Sequence, residues 1–471
     1  MSVADFQVVI GLEVHAQLTT QTKLFCGCST AFGAEPNAHT CPVCLGLPGA
    51  LPVLNRRAVT LAVRAGLALG CEVKTTSVWA RKNYFYPDLP KGYQITQYEQ
   101  PICEHGTLEV AGRSIRILRI HMEEDAGKSV HDGRHSRVDF NRATTPLLEI
   151  VSQPDLRSAE EASLYLRTLR DLLVWLGVND GNLDEGSLRC DANVSVMRHG
   201  AQALGTRCEV KNLNSYRFLQ KAIEHEVVRQ VERIEAGAQV VQETRLYDPD
   251  RDETRAMRSK EEAHDYRYFP EPDLLPLVLD DALVARERAE LPELPAAKAK
   301  RYAAQLGLPA YDASVLTADR ALSELFDACA ARYPDAKKLS NWFMGELSRL
   351  INERGGLQNL KLDAQRLVEL LALVDAGTVS ANAAKQVLAE MVEGGERAQP
   401  IVERRGLAQV SDVAALEAAV DAVLAANPDN VARYRAGNGK LLGFFVGQAL
   451  KALGGKGNPQ RVSELLKQKL G

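Results

Sequence analysis

The sequence predicts an α+β protein in which a sheet-rich N-terminal domain is followed by an all-helical domain and a small helical tail domain. Three observations carry that reading. Up to about residue 290, short alternating apolar–polar segments are separated by turns rich in glycine, proline and aromatic residues. Past "LPELPAAKAKRY" the composition changes to alanine, leucine, glutamate, lysine and arginine, punctuated by turns such as "LGLPAYD", "RYPDAKK" and "EGGERAQP". A chain of 471 residues also exceeds what one core supports, so two or more domains are expected. The expected domains are residues 1–292, 293–405 and 406–471.

Taken in order, "QVVIGLEVHAQL", "SIRILRIHMEED", "PLLEIVS", "SLRCDANVSVM" and "TRCEVKNL" read as strands. Between them, 158–176 and 215–235 read as helices; Ser158, with Glu161 three positions later, forms the pattern of a capping box. The final piece, from about 406, holds an apolar helix between two glycine-bearing turns.

Basic residues (57) nearly balance acidic ones (61), so the net charge of −4 neither requires nor excludes a nucleic-acid partner. The N-terminus lacks the basic flank, long apolar run and cleavage site of a secretory signal. No stretch reaches the roughly 18 to 20 apolar residues of a membrane span. A cytoplasmic protein without a membrane partner is expected. That location bears on the cysteines, because disulfides are rare in reducing cytosol and nine is an odd count for a paired framework. Cys26, Cys28, Cys41 and Cys44 form two close pairs, a spacing that suits tetrahedral zinc. Four sulfur ligands leave no open position, so this zinc would staple loop 26–44 and not catalyse. Buried thiols without metal are the alternative.

Strand alternation puts Glu13 and His15 on one face of "GLEVHAQL", as a metal or acid–base pair or as an ordinary salt bridge at a sheet end. "HMEEDAGK" (121–128) sets three acids beside a glycine and Lys128, which suits a phosphate-plus-magnesium site or a solvated turn. In "EGSLRCDANVSV", Arg189, Asp191 and Asn193 share a polar face, and "TRCEVKNL" presents Arg207, Glu209 and Lys211. A hairpin-like return would make the two strands one charged floor. Carboxylates from several strands with Arg and Lys fit an ATP site better than a hydrolase triad. "RAGNGKLL" is no Walker loop, because it lacks the earlier glycine and leucine follows Lys440. The aromatic, basic segment "RKNYFYPDLPKGYQITQYEQP" could stack bases or position a ribose and phosphates, or be a rigid surface loop.

Longer strings run in fixed order: "VIGLEVHAQL", "FGAEPN", "PGALPVLN", "RKNYFYPDLPKGYQI", "HMEEDAGKS", "EGSLRCDANVS", "EVKNLNS" and "DYRYFPEPDL". Through them the chain resembles the B subunits of the bacterial glutamyl-tRNA(Gln)/aspartyl-tRNA(Asn) amidotransferases over its whole length, most densely over 8–276. The resemblance implies a cradle-shaped kinase–transamidase domain, then a helical domain and a tRNA-binding tail. It implies that ATP activates the side-chain carboxylate of Glu-tRNA(Gln) or Asp-tRNA(Asn). Ammonia from an amidase-fold partner, the A subunit, then displaces the phosphate, and a small C subunit braces the pair. The enzyme class implied is an ATP-dependent carbon–nitrogen ligase with glutamine as amide donor.

On the residues, the resemblance implies Glu13, His15 and Glu124 as magnesium ligands, with Glu149 and Asp191 as further carboxylates of the catalytic region. Arg81, Lys82, Lys128, Arg189 and Lys211 are candidate phosphate or substrate cations. On a straight strand Glu124 faces away from Glu123 and Asp125, so its assignment needs a turn or bulge near Met122. Cys26, Cys28, Cys41 and Cys44 match the zinc-binding version of the family. Lys440, Lys451, Lys456 and Arg461, near glycine-rich turns and helix ends, are candidate phosphate contacts to the tRNA body. The other reading is a zinc-stabilised tRNA-binding scaffold whose chemistry lies in a partner protein. Carboxylates spread over several strands favour the enzyme.

Overall fold

The computed structural model of the chain describes residues 3–259, 266–409, 413–454 and 457–471. They form two compact units, Met1–Leu294 and Pro295–Gly471. The strands of the first unit are β1 (Phe6–Gln17), β2 (Glu72–Val73), β3 (Thr76–Ser77), β4 (Trp79–Asn83), β5 (Tyr93–Gln97), β6 (Cys103–Val110), β7 (Arg113–Glu124) and β8 (Lys128–Asp132). They continue as β9 (His135–Asp139), β10 (Pro146–Ser152), β11 (Leu188–Arg198), β12 (Cys208–Lys211), β13 (Glu243–Asp248), β14 (Glu253–Ser259), β15 (Phe269–Pro270) and β16 (Leu277–Val278).

One mixed sheet runs β14-β13-β12-β11-β1-β10-β7-β5-β4-β15, with β6 also on β7 and β2 on β6; β12 and β13 are parallel. Its apolar face carries Leu12, Val14, Ile120, Met122, Leu148, Ile150, Ala192 and Val194. Helices α1 (Arg56–Ala68), α2 (Ala159–Trp175) and α3 (Tyr216–Glu235) close over that face and share its core. Ser158 caps α2 by accepting the Glu161 N–H, while the Glu161 carboxylate accepts the Arg157 N–H, one residue earlier than in a reciprocal capping box. Ser215 caps α3 in the same way through Phe218. Helix α4 (Asp281–Ala289) ends the unit, its Glu287 paired with Arg64 of α1 at 2.7 Å.

The regular elements described in the second unit are all helices. Tyr302, Phe326, Phe343, Leu370 and Val387 belong to one apolar core; Leu416, Phe445, Val462 and Leu466 belong to another. The second core joins α13 (Val413–Ala426), α15 (Leu441–Ala452) and α16 (Pro459–Leu470), numbered along the chain after α5–α12 between Pro295 and Arg405. Among the described residues no helix is long and apolar enough to cross a membrane.

Candidate active site

The polar side of the sheet is assembled by strand register. Arg189 on β11, His15 on β1, Glu149 on β10 and His121 on β7 are successive cross-strand neighbours. The next such row reads Asp191, Glu13, Val151 and Arg119. Alternation sends these side chains to one side and the apolar residues between them into the core. Asn193 faces Glu209 across the antiparallel β11–β12 pair, which brings Lys211 beside Asp191.

Distances within the cluster are short. His15 Nε2 lies 3.3 Å from Glu149 and 3.6 Å from Glu123, and His121 Nε2 lies 3.3 Å from Glu149. One ligand atom from each of His15, Glu123 and Glu149 falls within 4.8 Å of the others. Asn193 Nδ2 donates to Glu13 at 2.8 Å, and Lys211 Nζ reaches Asp191 at 2.6 Å and Glu209 at 3.2 Å. Lys82 enters from β4 with its ammonium 4.9 Å from the Tyr266 ring centroid. Glu13, His15, Lys82, Glu123, Glu149, Asp191 and Lys211 line a cavity of about 530 Å³. It shares Glu13, Leu118 and Val151 with a second cavity of about 410 Å³, walled by Val9, Pro154 and Leu204 beside Gly11.

The electrostatics follow from burial and charge. Burial opposes a proton on His15, but Glu149, Glu123 and Asp191 outweigh it and lift the imidazole to about 9. Burial and then repulsion from Glu149, Glu209 and Asp191 push the Glu13 carboxyl up. Burial would also raise Glu149, yet His121 and His15 hold it well below the usual carboxylate range. Lys82 and Lys211 resist burial in the same manner: Glu123 and Glu149 raise the first, Asp191 and Glu209 the second. His15, Glu123 and Glu149, with two hard carboxylates beside phosphate-seeking ammonium groups, fit a magnesium ion that keeps water and substrate ligands.

Some predicted residues lie elsewhere. β7 keeps regular register with β10 from His121 to Glu124, so no bulge turns Glu124 toward the cluster. Glu124 points away from Glu123 and is buried in an ion pair with Lys91. It also accepts the Ile95 N–H at 2.8 Å and the Thr144 hydroxyl at 2.9 Å. Glu123 stands where Glu124 was expected. The alternation that pairs Glu13 with His15 also pairs His121 with Glu123, and "HMEE" already carried that signal. Arg81 turns away from Lys82 and forks onto Glu271 at 2.7 and 2.8 Å. Arg189 donates to Asp125 at 2.8 Å. With Lys128 it lines a separate cavity of about 710 Å³ that residues 30–34 help to wall. Lys440, Lys451 and Arg461 are exposed near the ends of α15 and α16; Lys456 lies outside the described residues.

The four cysteines come together. The Sγ atoms of Cys26, Cys28, Cys41 and Cys44 all lie within 4.8 Å of one another, and Cys41 and Cys44 are 3.9 Å apart. Tetrahedral zinc with bonds near 2.3 Å sets sulfur atoms about 3.8 Å apart, so the cluster is compatible with zinc. The Cys41 N–H donates to Cys44 Sγ at 3.1 Å, and buried Lys23 ties the loop to the His39 and Phe140 carbonyls at 2.7 and 3.2 Å.

Comparison with known proteins adds the lineage. The GatB/GatE catalytic domain family matches residues 8–285, and the GatB domain family matches residues 324–470. The B subunit of the aspartyl/glutamyl-tRNA(Asn/Gln) amidotransferase of Myxococcus xanthus (strain DK1622) is 64% identical, with 100% of both chains covered. Proteins of the same name from Anaeromyxobacter sp. (strain K) and Geotalea daltonii are 65% and 57% identical, covering 100% and 99% of each chain. A polar sheet face built from the two matched strings "GLEVH" and "LRCDAN", inside a full-length match of this strength, places the chain in the GatB family of amidotransferase B subunits.

Proposed function

We propose that this chain is the kinase–transamidase subunit of a tRNA-dependent amidotransferase, acting on the side-chain carboxylate of Glu-tRNA(Gln) or Asp-tRNA(Asn). The observation that carries the reading is the convergence of Glu13, His15, Glu123, Glu149 and Asp191 with Lys82 and Lys211 on one sheet face. Phosphoryl transfer needs little more from a protein than positioning and charge neutralisation. A divalent ion held by His15, Glu123 and Glu149, with Glu13 on the neighbouring row, would offset charge on the transferring phosphoryl group. The cavity beside Gly11 suits the nucleoside of ATP, because Val9, Leu118, Pro154 and Leu204 give a base apolar walls next to the carboxylates.

The substrate carboxylate takes the γ-phosphoryl group and ADP departs; ammonia from the amidase partner then attacks the acyl carbon and phosphate leaves. Lys82 and Lys211 stay protonated beside the acids and hold the anionic groups in line. Glu149, kept ionised between His15 and His121, anchors both imidazoles. Zinc on Cys26, Cys28, Cys41 and Cys44 would hold its loop and take no part in the reaction. The tail, with Lys440, Lys451 and Arg461, would grip the tRNA body, and the small third subunit would brace the two larger ones.

The test is single-turnover transfer of the ATP γ-phosphate and amide formation on Glu-tRNA or Asp-tRNA, in the complex supplied with ammonia. Glu149→Gln and Asp191→Asn should bind tRNA and form no amide. Normal turnover by both variants would leave a tRNA-binding scaffold as the better description.

A further inference from the structure

Four tyrosines gather at the Lys82 end of the active-site cavity. Tyr98 and Tyr268 lie ring on ring, centroids 4.0 Å apart and 4° from parallel. Tyr266 stands edge-on to Tyr268 and to Tyr84, at 6.0 Å from each. Arg119 lies 6.0 Å from the Tyr98 centroid. Tyr98, Tyr266 and Tyr268 line the same cavity as His15, Glu123 and Glu149.

These rings do not serve the core. All four are half-buried, and none belongs to the apolar core of this unit or to the hydrophobic residues packed on it. Trp79, Tyr165 and Tyr247, which do build that core, are almost fully buried. What remains is an aromatic wall facing a polar cavity, flanked by Lys82 and Arg119. Ring faces for a base and cations for a phosphodiester are how proteins hold a single-stranded nucleic acid end.

The reaction proposed above brings two nucleosides to one reacting centre: that of ATP, and the 3′-terminal adenosine that carries the amino acid as an ester. The cavity beside Gly11 accommodates the first. The second must lie within a ribose and an ester linkage of the carboxylate being activated, hence in the same cavity as Glu123 and Glu149. We propose that the wall of Tyr98, Tyr266 and Tyr268 is the subsite for this terminal adenosine, with the base stacked on the tyrosines and Lys82 and Arg119 facing its phosphodiester. The inference rests on the proposed reaction for the identity of the nucleoside.

The assembled complex is titrated with aminoacyl-tRNA whose terminal adenosine is replaced by 2-aminopurine riboside, and steady-state kinetics are run on unmodified substrate. Fluorescence is quenched on binding to wild type and to Tyr268→Phe. In Tyr98→Leu and Tyr268→Leu the quench is lost and KM for aminoacyl-tRNA rises about ten- to hundred-fold, as expected when a base–aromatic stack is removed. KM for ATP stays at the wild-type value. An unquenched wild type overturns the subsite. So do leucine variants that raise KM for ATP while leaving that for tRNA unchanged, since the ATP base would then occupy the wall. Failure of the reaction itself reads differently: wild type would quench, supporting the subsite, yet transfer no phosphoryl group.

Discussion

Replacing one carboxylate by an amide at each of two adjacent positions separates the reactive face of β7 from its core face. Glu124 and Lys91 have side chains only 2% and 9% exposed, so Glu124→Gln strands an ammonium group inside the protein. Breaking a buried pair from one side costs about 3–5 kcal/mol. The introduced amide can keep the Ile95 and Thr144 hydrogen bonds, which puts the expected loss near the lower figure, about 3 kcal/mol. At a urea slope near 3 kcal/mol/M, the unfolding midpoint falls by about 1 M. Glu123→Gln acts differently. Glu123 stands among both acids and the cations His15 and Lys82, so gain and loss of charge contacts offset and stability changes less than in Glu124→Gln, while γ-phosphoryl transfer falls by about 10²–10³, the usual effect of losing one preorganised electrostatic group. Urea unfolding and single-turnover transfer on both variants read the two effects separately. A stable but inactive Glu124→Gln beside an active Glu123→Gln would refute the face assignment.

Other consequences follow from single networks. Glu226, fully buried, is held below its ordinary pKa because Arg229, Gln230 and Arg245 outweigh its burial. Its folded-state pKa is therefore the lower one, so its contribution is present above the unfolded value of 4.5 and is lost as pH falls through the folded one. Wild-type urea midpoints should drop toward those of Glu226→Gln only below about pH 4.5. Metal analysis should find one zinc per chain, with none in Cys26→Ser/Cys41→Ser, whose thermal midpoint falls; equal midpoints would favour plain buried thiols. Lys440→Ala and Lys451→Ala should weaken tRNA binding and flatten its log–log salt dependence by about 0.7–0.9 for each phosphate no longer neutralised, with kcat unchanged.

The strands were legible where one face is core and the other charged. "PLLEIVS" coincides with β10, and "SIRILRIHMEED" is displaced from β7 by one residue. Helix α1 was passed over although it carried a signal: Arg56, Thr60 and Arg64 recur at helical spacing on the side opposite its buried alanines, valines and leucines. Two-residue strands such as β15 and β16 exist only through their distant partners β4 and β3. The residues of the candidate site divide in the same way. Glu13, His15, Asp191 and Lys211 could be grouped by alternation within a strand. That Arg81 is held by Glu271, or Glu124 by Lys91, depends on pairings distant in sequence that no local pattern encodes.

At one position the register runs against ordinary sheet chemistry. Glu13 lies directly opposite Asp191, and like charges at opposed positions destabilise a sheet. Glu209 and Glu149 add to the repulsion, and together with burial they raise the Glu13 pKa. A face meant only for solvent would set lysine or arginine opposite Glu13. Here Lys211 pairs with Asp191 and Glu209 from the neighbouring strand, while Glu13 receives the neutral amide of Asn193. The apolar face beneath keeps the arrangement folded, and the remaining negative charge is what a divalent cation would neutralise. The first unit should therefore gain stability from millimolar Mg²⁺ as RT ln(1 + [L]/Kd). Asp191→Asn should be at least as stable as wild type without the ion and gain less from it. Urea titrations at several Mg²⁺ concentrations measure both, and a wild type indifferent to Mg²⁺ would mean that the opposed acids serve some purpose other than holding a cation.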